Sequence, residues 1–170
     1  MLFDVKFHDA RTGFACASGV SASSEGDALI LATGDGGRSW QPVWRSGRKL
    51  ENCWKVHWPS RKVGYATVQT YDETPDRTRV VIKTTDGGKS WHELPLARID
   101  KLQQFGIGFA NEQLGWVGTN QGGFETRDGG RTWRTIEFGR LVNKIRVLRV
   151  PGGGQRLFAI GSEVHRLDLP

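Results

Sequence analysis

The octapeptide TGDGGRSW at residues 33–40 returns as TTDGGKSW at 84–91 and as TRDGGRTW at 126–133. The shared pattern is Thr-x-Asp-Gly-Gly-(Lys/Arg)-(Ser/Thr)-Trp, and it admits a phosphate loop, a catalytic carboxylate or a turn. A phosphate loop needs Gly-x-x-x-x-Gly-Lys-(Ser/Thr) running into a helix, and that spacing does not occur here. Asp-Gly and Gly-Gly are strong hairpin signals because glycine accepts positive φ. An Asp at the head of such a turn, helped by Thr or Ser hydroxyls, accepts backbone N–H groups. The turn reading makes Thr33, Asp35, Gly37 and Trp40 structural, with Thr84, Asp86, Gly88 and Trp91, then Thr126, Asp128, Gly130 and Trp133.

A looser motif precedes each copy: an aromatic six residues before a Gly-aromatic pair. It runs from Phe7 to Gly13-Phe14, from Trp58 to Gly64-Tyr65, and from Phe109 to Gly115-Trp116, with the glycines 51 residues apart each time. The aspartates lie 51 and then 42 apart, so the third unit is shorter. Val150 and Leu157 echo the spacing of Phe109 and Trp116 in a fourth unit. Periods near 40–50 residues with several short strands per unit point to propeller blades. The second unit divides into runs at 53–58, 64–70, 79–84 and 90–94. In its first run Trp54, Val56 and Trp58 alternate with Lys55 and His57. The third unit repeats this with Phe105, Ile107 and Phe109, opposed by Gly106 and Gly108, which leave room for a neighbouring element. The fourth unit supplies three runs, near 144–150, 156–160 and 163–168, and no box.

The expected architecture is all-β: one propeller domain, 1–170, of about four four-stranded antiparallel blades, the last incomplete. The units fall at about 1–44, 45–95, 96–138 and 139–170. Twenty-three glycines and seven tryptophans against one methionine suit tight turns and packed aromatics. Closure stays open between a small ring, an arc that pairs with a second copy, and part of a longer propeller. An unclosed sheet edge is an aggregation hazard.

Cys16 and Cys53 sit in apolar runs and read as buried free thiols, without the spacing of a structural zinc site. No cofactor or metal is expected. The start, MLFDVKFHDA, has no apolar signal core, and nothing downstream could span a bilayer. The expectation is a cytoplasmic protein, or an extracytoplasmic one if an upstream segment is missing.

The boxes resemble the Asp-box, or bacterial neuraminidase repeat, of β-propeller proteins, over effectively the whole chain. That resemblance implies that Asp35, Asp86 and Asp128 clamp turns on the side of each blade away from the binding face. Among such families the unit most resembles the photosystem II stability and assembly factor type, above all in LGWVGTNQGGFETRDGGRTW at 114–133. It implies a non-enzymatic binding or assembly scaffold with a basic surface.

Successive turns of an up-and-down blade alternate between two faces, so the connections between units lie opposite the boxes. Those connections carry Arg45, Arg48 and Lys49, then Arg98 and Lys101, then Arg140 and Lys144. Together with Arg146 they would form a basic arc for an acidic protein or another anionic ligand. Arg146 and Arg149 continue the run into the fourth unit, one of them toward a central channel. The net charge of +6 favours acidic partners weakly. A glycosidase, sialidase-like or xyloglucanase-like, is the alternative on the same propeller. An acid/base pair for it can be imagined in QTYDETPDRTR, 69–79, where Tyr71, Asp72, Glu73 and Asp76 offer a phenol and three carboxylates, although the loop reads more simply as a solvated hairpin tip. A sialidase entry of Phe/Tyr-Arg-Ile-Pro is absent. Nucleic-acid binding ranks last, because the basic loops lack free aromatic platforms.

Overall fold

The computed structural model describes residues 1–19 and 26–169, and its regular structure is entirely β. Blade 1 is β1 (Leu2–Phe7), β2 (Gly13–Ser18), β3 (Ala28–Thr33) and β4 (Gln41–Arg45). Blade 2 is β5 (Glu51–His57), β6 (Gly64–Thr70), β7 (Arg79–Thr84) and β8 (His92–Ala97). Blade 3 is β9 (Gln104–Phe109), β10 (Gly115–Thr119), β11 (Gly122–Thr126) and β12 (Arg134–Ile136). Blade 4 has three strands, β13 (Lys144–Arg149), β14 (Gln155–Ile160) and β15 (Val164–Leu169). Each sheet is antiparallel with its strands in chain order. The first strands pack side by side in the series β1, β5, β9, β13, which makes them the inner edge of an arc.

Directly opposed residues of an antiparallel pair share a face, so the register assigns each blade two faces. The near face, turned toward the preceding blade, carries Val5, Ala15 and Leu31 in blade 1. Val56, Ala66 and Ile82 hold the same places in blade 2, and Ile107, Val117 and Phe124 in blade 3. The far face carries the aromatic of each Gly-aromatic pair: Phe14, Tyr65 and Trp116. Apolar cores form where a far face meets the next near face, one at each of the three junctions.

The Gly-aromatic spacing now has a cause. A Cβ on Gly13, Gly64 or Gly115 would lie 2.8, 2.7 or 2.2 Å from the ring of Phe7, Trp58 or Phe109, so each ring lies directly on its glycine. The box tryptophan meets that ring edge-on in each of blades 1 to 3, with centroids 6.0, 5.5 and 6.4 Å apart. The preceding blade's aromatic then enters the same seat. Phe14 packs on Trp58 at 4.6 Å, and a Cβ on Gly88 would stand 2.4 Å from it. Tyr65 stacks flat on Phe109 at 3.7 Å.

Two expectations need correction. A β-bulge between Cys53 and Val56 breaks the alternation of β5. It turns Cys53 to the side of Val56, in the core, while Trp54 packs against Phe3 and Phe105 of the flanking blades. In blade 4 the register puts Leu157 opposite Val147, matching Val117 opposite Ile107. The residue at the place of Phe14, Tyr65 and Trp116 is therefore Arg156, and the Val150–Leu157 echo is one residue out of step. Gly106 and Gly108 do admit β13: a Cβ on either would meet the Lys144 backbone or the Ile145 side chain at 2.9 and 2.5 Å. Cys16 and Cys53 are buried and unpaired.

Candidate functional site

Each box closes on itself. In the first, the Thr33 hydroxyl donates to Asp35 Oδ1 at 2.8 Å and accepts from Gly37 N at 2.9 Å. Asp35 Oδ1 accepts from the backbone N–H of Arg38 and Ser39, and Oδ2 from the Ser39 hydroxyl at 2.6 Å. The second box repeats this set with Thr84, Asp86 and Ser90. In the third, Thr126 and Thr132 flank Asp128 in the same way. The donated bonds, led by the Ser or Thr hydroxyl, hold all three carboxyls well below the usual range, Asp128 at about 2. Both glycines of every box have positive φ, between 73° and 88°. A carboxylate with its lone pairs so occupied is poorly placed to take a substrate proton.

A second repeated device ties the box to its own blade. Asp9, Ser60 and Asn111, 51 residues apart, each accept two backbone N–H groups in the turn between first and second strands. The carbonyl that follows, of Arg11, Lys62 or Gln113, accepts from the first box glycine at 2.9 Å. Box and first turn thus share one face of the molecule. The sequence carried this signal as turn formers at the same 51-residue step, but their differing identities hid it.

On the opposite face the basic residues do not form one continuous arc. Arg48 is bound by Glu51 at 2.8 Å and Glu93 at 2.6 Å, and Arg45 reaches Asp27 at 3.4 Å. Arg140 shares a shallow depression with Glu137 and Glu163, and Lys101 shares one with Asp72 and Glu73. Arg98 donates to the Thr78 hydroxyl, and Lys49 is exposed. In the 69–79 segment Asp72 pairs with Arg77 and accepts twice from Thr74, so it closes its own loop.

Lys144 and Arg146 turn inward instead. They line a cavity of about 220 Å³ on the axis, together with Asp4, Lys6, Lys55, His57 and Gly106 from the other first strands. Arg149, at the end of β13, is not among its lining residues. Lys55 Nζ donates to Phe3 O at 3.2 Å, and Asp4 accepts from Val56 N at 3.2 Å. His57 bonds Phe109 O at 3.1 Å; burial, outweighing that bond, pushes its pKa down to about 4. The cavity therefore gathers four Lys and Arg side chains against one carboxylate. A second groove continues from it past Lys6, Arg146 and Arg61 to the rings of Phe7, His8 and Trp58. Lys6 and Lys55 were not singled out by the sequence, because the convergence of first strands on an axis is a property of the assembled arc.

The fold is a β-propeller. Compared with solved structures, the chain is similar over 98% of its length to YCF48 bound to D1 peptide, with a TM-score of 0.65 and 21% identity. It is also similar to YCF48 from Cyanidioschyzon merolae (TM-score 0.56, 18% identity) and to an ancestral GH74 enzyme (0.60, 12%). The chain spans 50% and 55% of the two YCF48 chains and 30% of the GH74 chain. No family profile and no curated protein matches it. The first strands of the four blades form an arc with the axial cavity at its inner edge.

Proposed function

We propose that this propeller is a non-enzymatic scaffold that binds an acidic segment of a partner protein across the axial cavity. The observation that carries this reading is the convergence of Lys6, Lys55, Lys144 and Arg146 on one cavity lined by a single carboxylate, Asp4, one of whose oxygens accepts a backbone N–H. Clustered like charges in a partly enclosed site focus the field and attract an anion. A peptide rather than a small anion suits the adjoining groove, where cations alternate with aromatic rings. That a similar propeller, YCF48, has been seen with a peptide bound supports the class of ligand. The glycosidase reading draws on the likeness to a GH74 enzyme, but Asp72, one of its three candidate carboxylates, is held by Arg77 and Thr74.

Fluorescence anisotropy with a labelled Glu/Asp-rich peptide and its Gln/Asn counterpart tests the proposal. The acidic peptide should bind, weaken as salt rises, and lose about tenfold in affinity for each of Lys144→Glu and Arg146→Glu, or about 1.4 kcal/mol. Equal binding of the neutral peptide, or charge reversal without effect, overturns it. A poly(dT) competitor separates nucleic-acid binding.

A further inference from the structure

The near face of blade 1 is built like those of blades 2 and 3, yet among the described residues no other blade covers it. Val5 is 48% exposed, where Val56 and Ile107, at the same place in their blades, are 2% and 4%. Phe7 is 47% exposed against 3% for Phe109. With Leu2, Leu31 and Trp40 they line an open apolar groove. At the first box, among the described residues, no neighbouring blade's ring is nearest the seat. The atoms nearest a Cβ on Gly37 belong to Phe7 and Trp40 of its own blade, from 3.6 Å, whereas Gly88 and Gly130 face Phe14 and Tyr65 of the preceding blade.

The far face of blade 4 ends the arc differently. Arg156 stands where the other blades carry an aromatic, flanked by Leu148 and Asp168. Both Arg156 and Arg166 bond Asp168 at 2.6 Å, and Leu148 is 52% exposed.

We infer that a second copy of this chain docks its blade 4 on the near face of blade 1, head to tail, and that two such junctions close one ring. The two ends are unlike, one apolar and the other mixed, so like ends do not complement each other. A head-to-tail contact that closes after two copies uses both ends and leaves neither exposed. The length agrees: the chain spans 50% of a YCF48 chain of the same fold, so a second copy supplies a length equal to the rest. The contact chemistry agrees as well. A guanidinium stacks on aromatic faces, which fits Arg156 to the Phe7–Trp40 seat, and Leu148 can cover Val5. In the junction of blades 2 and 3, the Tyr65 hydroxyl and the Lys83 ammonium donate to the carbonyls of Glu112 and Gly129, both at 2.9 Å. Ala10 and Gly36 hold the corresponding places in blade 1, and Arg156 brings the donors. The partner copy would also place its own β13 beside β1, completing the wall of the axial cavity.

Sedimentation equilibrium of the 170-residue chain should give twice its 18.9 kDa. Val5→Lys and Leu148→Asp change exposed side chains at opposite ends of the arc. Each should weaken the dimer at least about tenfold, the effect of about 1.4 kcal/mol, while far-ultraviolet circular dichroism, which reports the strands, stays unchanged. A monomer at every concentration overturns the inference, and the uncovered face then belongs to further blades of a longer polypeptide or to another protein. Open-ended polymers overturn it because the junction then fails to close. A dimer that survives either substitution pairs like with like and overturns it too.

Discussion

Thr84 shows how much of each turn depends on one hydroxyl. It is fully buried, and its oxygen receives Gly88 N at 2.9 Å while donating to Asp86 at 2.8 Å. Replacing it with Val keeps the shape and strands a buried backbone N–H, a loss of about 1–3 kcal/mol. Urea unfolding of Thr84→Val should show a lower midpoint with an unchanged slope, whereas Lys89→Ala, at an exposed place in the same turn, should leave the midpoint in place. The corresponding hydroxyls of Thr33 and Thr126 make the same bonds, so the boxes were legible in the sequence down to the atom that holds them. Lys144 and Arg146 were legible only as charge. Which way they point follows from the packing of β13 on Gly106 and Gly108, and no local pattern carries that.

At the scale of the strand, the ring-on-glycine contact explains why the second motif repeats so strictly. In Gly115→Ala the new methyl would stand 2.2 Å from the Phe109 ring, and that ring is wedged between Tyr65 and Trp133. It has no room to retreat, so the substitution should cost about 1–3 kcal/mol. Calorimetry of Gly115→Ala should show a clearly lower melting temperature, whereas Gly34→Ala, at an exposed glycine with open space around it and no positive φ, should leave it nearly in place. Strand number and order could be read from periodicity because turn residues and aromatics recur in step. The bulge in β5 could not, since Cys53-Trp54-Lys55-Val56 alternates well enough to look regular. The shift in blade 4 was hidden for a related reason. Without a Gly-aromatic pair, spacing alone does not fix the register, and the ladder of β13 on β14 does.

For the molecule as a whole, acid should act in two steps. His57 has a folded pKa of about 4, below the ordinary 6.5. As pH falls through 6.5 toward 4 the unfolded chain takes up this proton first, and stability drops. The box carboxylates act lower. Asp128, at about 2 when folded against 3.8 when free, stabilises the fold above 3.8 and ceases to as pH falls toward 2. Urea midpoints measured from pH 8 to pH 3 should therefore decline twice. His57→Gln, whose amide can still donate to Phe109 O, should flatten only the upper decline. The seating of Phe14 and of Tyr65 in the next blade's glycine-lined box also gives the arc a grammar. Each of these two junctions has a giver and a receiver, and the giver is the earlier unit in the chain. A tandem duplication of one 51-residue period would bring its own giver and its own receiver, and so would slot between existing blades without redesigning either neighbour. Inversion or reordering of strands has no such route. Growth of these proteins by whole-unit gene duplication is thus favoured by the shape of a single repeated contact.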